Sequence, residues 1–164
     1  MRINKVVVII MTKINILDYL KKKSVVSIFD VAKYIHNECG EISRVKLQLL
    51  CYYCQAWSLA LNNKPLFFEE FEAWTIGPIC VKLFNETEED FFIIADSIPG
   101  DMNNLKVKQK ETIDAVLDHY AEHNIQYLAQ LARSEAPWRE VSRAWFDDNN
   151  IITKESMASY YGSL

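Results

Sequence analysis

The chain has 164 residues, half of them hydrophobic and 12% aromatic, with only 4 Gly and 4 Pro, which is enough apolar material for one packed domain and too little turn material for a long disordered tract. A chain of this length buries roughly 70% of the surface its unfolded form exposes. With 18 Lys plus Arg against 22 Asp plus Glu, the net charge of -4 gives no general attraction to nucleic-acid backbones or anionic membranes and suits a basic partner better.

Residues 6–11 (VVVIIM) follow Arg2 and Lys5 but are too few for a spanning helix, which needs about 20 apolar residues, or for a secretory core of roughly 7 to 15 followed by small residues. Two readings stay open: a short strand or added helical turn, or a translation start at Met11 with the preceding residues as an artefact. In the absence of an export signal the cytoplasm is the default location, where the 4 cysteines stay reduced. Residues 14–22 form a short amphipathic stretch, broken by Ser24-Val25-Val26. Ser27 then reads as an N-cap, Asp30 complements the first-turn dipole and Gly40 is a C′ residue, which predicts a helix over Ile28–Cys39. The chain thus divides into an N-terminal extension over 1–26 and a domain over 27–164.

Ser43 caps the next helix, over 44–61, where Val45, Leu49, Leu50, Tyr53, Trp57 and Leu61 recur at helical spacing and Leu47, Cys54, Ala56 and Ala60 widen the stripe. So wide a stripe marks a central helix. Asn62-Asn63-Lys64-Pro65 ends it, residues 67–74 are expected as one or two short strands, Gly77-Pro78 as a turn, and 79–85 as a helical run. Glu86, Glu88, Glu89 and Asp90 make an acidic edge, and 91–95 read as a short buried segment before the turn at Pro99-Gly100-Asp101. Ile113, Val116, Leu117 and Tyr120 fall at i, i+3, i+4 and i+7, predicting a helix over 106–122. A second starts near Asn124 and stops before Ala136; Pro137 sits at the first turn of another that carries Trp138, Val141 and Trp145; Thr153 caps a last one through Tyr160. The expected fold is mainly α, a compact single-domain helical bundle with a short β-hairpin or strand pair near residues 67–76.

Several strings tempt a chemical reading. His119-Tyr120-Ala121-Glu122-His123 fits H-x-x-E-H, in which two histidines one turn apart hold zinc and the glutamate acts as general base. Tyr120 already directs the apolar stripe elsewhere, and two surface histidines at a helix end account for the string equally well. Cys51 and Cys54 make C-x-x-C, but inside the central helix rather than at a helix N-terminus, where the dipole would activate a thiol. With Cys39 and Cys80 they read as small buried hydrophobes, a structural zinc being the alternative. No phosphate loop, dinucleotide glycine pattern or nucleophile elbow is present. Ser43-Arg44-Val45-Lys46 and the cluster Lys21-Lys22-Lys23 keep a helical DNA-binding regulator in play, although a recognition helix needs a free polar face and this one is filled with Leu, Tyr, Trp and Cys. A zinc-dependent hydrolase is the further alternative.

The order of Lys46-Leu47-Gln48, Tyr52-Tyr53, Gln55, Pro65-Leu66-Phe67, Glu69, Glu72-Ala73-Trp74 and Gly77-Pro78 closely resembles the Panacea, or SocA-like, antitoxin domain, often labelled a phage-associated protein. Asp30-Val31-Ala32-Lys33-Tyr34-Ile35 resembles that family's first domain helix, and Ser134-Glu135-x-Pro137-Trp138 its Glu-x-Pro-Trp signature, so the resemblance runs from Phe29 to Tyr161. It implies a cytoplasmic antitoxin, encoded beside a toxin that it neutralises by direct contact without catalysis or cofactor, as a homodimer or a toxin–antitoxin hetero-oligomer. The chain departs from the family at Ile76, Val81 and Phe84, and at Ala132-Arg133, where members carry a Thr-His pair. That last departure removes the polar site the motif would have offered.

Lys46, Gln48, Tyr52, Tyr53, Gln55, Pro65, Glu72, Trp74, Gly77, Pro78, Glu135, Pro137 and Trp138 are expected to build the scaffold, with Trp57, Trp74, Trp138 and Trp145 as core anchors. Glu72 and Glu135 are placed to orient the indoles beside them or to turn the backbone, and Gln48 and Gln55 to bridge to the Gly77-Pro78 turn. Toxin contact is expected from the exposed parts: residues 13–26 with Lys21, Lys22 and Lys23, the acidic edge Glu86, Glu88, Glu89 and Asp90, and the loop 96–104. Such an edge suits a basic, RNA-directed toxin.

Overall fold

The computed structural model describes residues 25–87, 92–143 and 150–164. Residues 1–24 of the expected N-terminal extension, with Lys21, Lys22 and Lys23, and Glu88, Glu89, Asp90 and Trp145 lie outside the described residues, while Val26 at the end of that extension is buried in the core. Among those described are seven α-helices and a small antiparallel sheet: α1 Ile28–Cys39, α2 Arg44–Asn62, β1 Phe71–Trp74, β2 Gly77–Ile79, α3 Val81–Glu86, α4 Val107–Tyr120, α5 Ile125–Ser134, α6 Ala136–Arg143, β3 Ile151–Ile152 and α7 Lys154–Tyr161. None of the described helices is long and apolar enough to cross a membrane. The fold is mainly helical, as expected from the apolar periodicities.

Helix α2 is the spine. Every residue from 47 to 56 is buried, so that α1, α4, α5, α7 and β2 pack around it. Its ends are set locally: the Ser43 side chain accepts from the Lys46 N–H at 3.2 Å, and Asn63 in the left-handed conformation (φ 52°) returns its N–H to the Leu59 carbonyl. Burying a helix all round leaves its polar side chains no water, and α2 answers with two amides on one face. Gln55 accepts from the N–H groups of Leu66 (2.7 Å) and Phe67 (3.3 Å) and donates to the Phe67 carbonyl (2.7 Å). Gln48 accepts from Cys80 N–H (2.9 Å) and donates to its carbonyl (3.3 Å). Each amide thus pairs with the chain as a neighbouring strand would, and satisfies loop backbone that the core has cut off from solvent.

The cap of α1 is shared with a distant loop. Ser27 N–H donates to Asp30 Oδ2 at 2.8 Å, while Oδ1 of the same buried carboxylate accepts from Asp101 N–H (2.8 Å) and Asn104 Nδ2 (3.3 Å). Gly100 permits that approach, because a Cβ there would stand 2.2 Å from the Phe29 carbonyl oxygen.

Four details differ from the sequence reading. Gly77 and Pro78 are not the turn: Thr75 and Ile76 turn the chain, and Gly77 at φ 126° leads it into β2, which pairs Trp74 with Gly77, Ala73 with Pro78 and Glu72 with Ile79. Pro78 is tolerated because the strand order β2-β1-β3 puts β2 at an edge. Helix α3 accordingly begins at Val81, after Gln48 has fixed Cys80. The third strand was not expected; Ile151–Ile152 pairs with Phe71 and Glu72, and two residues carry no readable period. Within 92–95 only Ile93 is buried among the residues whose side chains are described, since Phe92 pairs as an isolated bridge with Ser43 and the side chains of Phe92 and Ile94 face out.

Gln55→Ala leaves three buried backbone groups without partners and is expected to cost about 3 kcal/mol in urea denaturation with an unchanged m-value. Gly100→Ala forces the loop away from α1 and is expected to cost about 2 kcal/mol, with the largest chemical-shift changes at Phe29 and Asp101.

Candidate functional site

The motif residues converge on two interior clusters and one surface cleft. In the first cluster Glu135, at the junction of α5 and α6, is buried and accepts from Tyr161 Oη at 2.5 Å and Tyr53 Oη at 3.3 Å. Tyr53 stacks on Tyr120 with ring centroids 4.1 Å apart, and Tyr52 meets Tyr53 edge-on at 5.5 Å. Burial pushes the hydroxyls of Tyr52, Tyr53, Tyr120 and Tyr161 upward, so they stay protonated donors. Glu135 therefore does not orient the Trp138 indole, as its place in the signature implied; it joins α2 to α7.

The second cluster surrounds the sheet. Trp74 Nε1 donates to Glu72 Oε2 at 2.7 Å, where Asn150 Nδ2 also donates at 3.0 Å, and Trp138 Nε1 donates to the Trp74 carbonyl at 3.1 Å. Arg133 donates to the Thr75 carbonyl at 2.9 Å, tying α5 to the hairpin turn at the site where the family's Thr-His pair is missing. Trp57, Trp74 and Trp138 are half-buried; Trp57 and Trp138 pack against the core cluster, as expected of anchors, whereas Trp74 does not, and the Trp57 indole N–H donates to Tyr120 Oη at 3.1 Å. Pro137 is buried in the first turn of α6 and Pro65 is half-buried. Gln48 reaches past Pro78 to Cys80, whereas Gln55 turns to the 66–67 corner instead of the hairpin.

Lys46, half-buried, opens onto a cleft of about 610 Å³ between α1, the 40–43 loop and α4. Glu38, Glu41, Asp114, Asp118 and Glu122 line it over a floor of Cys39, Ile42, Leu117 and Ala121. Asp114 accepts from Tyr34 Oη at 2.9 Å, and burial together with that carboxylate pushes the Tyr34 hydroxyl up to about 12. Among the described residues none of the five carboxylates forms an ion pair, the pair Lys82–Glu69 at 3.2 Å lying elsewhere. The sequence reading missed this surface, although Asp114 and Asp118 lie one turn apart on α4 and Glu122 follows just past its end.

The H-x-x-E-H string divides across α4. Glu122 lines the acidic cleft, whereas His119 lines a separate apolar groove with Trp57, Leu61, Thr112, Ala115, Val116 and Tyr120. Among the described residues no three His, Cys, Asp or Glu side chains are gathered so as to hold a metal. Cys51, Cys54 and Cys80 are free and buried, and burial pushes all three thiols up. Of the expected acidic edge, the described member Glu86 is exposed at the end of α3.

The interior is thus committed to holding α2, the hairpin and α7 together, and the cleft supplies a concave negative surface suited to cationic groups. The family model described as "Antitoxin SocA-like, Panacea domain" matches residues 47–139, more than half of the chain. No curated protein and no solved structure matches it.

Among the described residues Asp118 and Glu122 accept no hydrogen bond from another group, so Asp118→Asn and Glu122→Gln are each expected to change stability by less than about 0.5 kcal/mol in thermal melts, against several times that for Glu72→Ala, which strips Trp74 and Asn150 of their acceptor.

Proposed function

The chain belongs to the SocA-like Panacea antitoxin domain family, and from that membership we propose that it neutralises a co-encoded toxin by direct protein–protein contact, without catalysis. The family match carries this reading. The physical support is the division between an interior filled by motif residues and a surface left to a partner. The domain is taken as 27–164, with 1–26 as an appended segment.

The partner's chemistry follows from charge. Glu38, Glu41, Asp114, Asp118 and Glu122 present a concave negative surface around one lysine, and Glu86 with Glu88, Glu89 and Asp90 adds an acidic edge. A basic, RNA-directed toxin would be steered toward such a field and would bring the lysines and arginines that these carboxylates lack. Lys21, Lys22 and Lys23 are assigned to an acidic portion of the same partner. The assembly is a toxin–antitoxin hetero-oligomer or a homodimer that carries toxin. The DNA-reading alternative fares worse because α2, which opens with the Arg44 and Lys46 pair, is buried through residues 47–56 and leaves no polar face for base edges.

Co-expression with the neighbouring gene product is expected to rescue growth, and the two proteins to co-purify in a complex that weakens with salt. Asp118→Lys combined with Glu122→Lys is expected to slow association about tenfold at low salt without unfolding the domain. A toxin that stays lethal beside the intact protein removes the antitoxin reading; undiminished association of the charge-reversed variant removes the assignment of the cleft.

A further inference from the structure

The charges along α4 run in blocks. Lys106 at its N-cap, Lys108 and Lys110 come first; Glu111, Asp114, Asp118 and, just past the helix end, Glu122 follow. A helix carries partial positive charge at its N-terminus and partial negative charge at its C-terminus, so this order opposes the α4 dipole at both ends. No carboxylate stands in the first turn to offset the lysines, and His119 is the basic residue of the last. Asp114 and Asp118 also repel each other one turn apart. Lys110 Nζ lies 5.4 Å from the centroid of the Tyr34 ring, and among the described residues neither it nor Lys106, Asp114, Asp118 or Glu122 forms an ion pair. The stability of α4 therefore does not account for its order of charges.

Read in reverse, that order is its own complement. Lys106, Lys110, Asp114, Asp118 and Glu122 recur four apart in sequence. A second copy laid antiparallel along α4 sets Lys106 against Glu122 and Lys110 against Asp118, and a two-fold axis makes each pairing twice. The two helix dipoles then also run antiparallel. Asp114 meets its own counterpart at the axis, the one like-charge encounter, and its carboxylate already accepts from Tyr34 Oη at 2.9 Å. Lys106, Asp114, Asp118 and Glu122 are exposed and Lys110 is half-buried, so this stripe is open to a partner. The cleft of about 610 Å³ offers the incoming lysines a seat: their stems lie on the floor of Cys39, Ile42, Leu117 and Ala121 while the ammonium groups meet Glu38, Glu41, Asp118 and Glu122.

We propose that two copies of this chain pair antiparallel across α4, each inserting Lys106 and Lys110 into the acidic cleft of the other. The pairing is weak and salt-dependent, because exposed ion pairs contribute little each and are screened within a Debye length of about 8 Å at physiological salt. Its consequence rests on the toxin-binding reading above: a cleft filled by a second copy is closed to a basic partner, so the toxin and the second copy compete for it. Of the two assemblies considered there, this selects the hetero-oligomer in which toxin displaces the second copy.

The test is sedimentation velocity on the full chain alone, from about 10 μM to about 1 mM protein and at about 20 and about 300 mM salt. A monomer–dimer equilibrium is expected, with a dissociation constant that rises at least about tenfold between the two salt levels. Lys106→Glu with Lys110→Glu, and separately Asp118→Lys with Glu122→Lys, are each expected to abolish the dimer, since each sets like charges face to face. Mixed in equal amounts, the two double variants present opposite charges to each other at every one of these positions, and the dimer is expected to return. The salt dependence of the unmodified chain is a reading that no variant's folding can obscure. A chain that stays monomeric at low salt, a dimer indifferent to salt, a mixture that stays monomeric, or growth beyond two copies overturns the pairing. No toxin enters the experiment, so its failure leaves the antitoxin reading to the co-expression test.

Discussion

Burial of α2 on every side over residues 47–56 is the constraint on which the rest of the structure depends. A helix surrounded on every side removes the polar atoms of its neighbours from water, and an unpaired buried backbone group costs about 1–3 kcal/mol. The loop after α2 and the strand-to-helix passage at Cys80 are both irregular backbone pressed against it. Gln55 and Gln48, two turns apart on one face, supply donor and acceptor to each. Their spacing fixes where both segments lie, and so orients the hairpin and α3. Leucine at either position would pack well and leave the loop unsatisfied.

The same economy places three carboxylates, two of them buried and one half-buried. Asp30 closes the α1 cap with one oxygen and fixes the 101–104 turn with the other. Glu72 serves an indole and an asparagine, and Glu135 serves two phenols. Each carboxylate joins segments far apart in sequence. These are the long-range contacts that give a helical chain one arrangement rather than several, because apolar stripes alone tolerate rotation and sliding.

Helices were legible in the sequence wherever a cap and a period agreed. Ser27 with Asp30, Ser43, Asn63, Asn124 and Thr153 mark ends that the structure places within a residue or two. The family was legible from short strings in a fixed order, and the family match over 47–139 shows it. Partner choice within the core was not legible. Proximity in sequence assigned Glu135 to Trp138, whereas the fold gives it tyrosines from positions 53 and 161. Gly77-Pro78 looked like a turn because those residues usually punctuate chains, but an edge strand accepts proline and a left-handed glycine follows the two-residue turn equally well. The cleft was unreadable for a related reason: Glu38 and Glu41 lie more than seventy positions from Asp114, and only the packing of α1 against α4 sets them around the same cleft.

Interior and exterior carboxylates then face opposite problems. Glu135 has lost its solvent and is met by the hydroxyls of Tyr53 and Tyr161. The cleft carboxylates keep their solvent, and what they face is one another. A like-charge pair at i, i+4 on a helix costs a few tenths of a kcal/mol, and Asp114 and Asp118 make one such pair, with Glu122 just past the helix end, Glu38 and Glu41 opposite and Lys46 as the lining cation. Water and salt screen that repulsion in the free domain within a Debye length of about 8 Å. A surface that covers the cleft removes the screening, and an apolar or acidic surface would thereby raise the repulsion sharply, whereas a cationic one converts it into attraction. The charge of the cleft thus disfavours apolar and acidic surfaces.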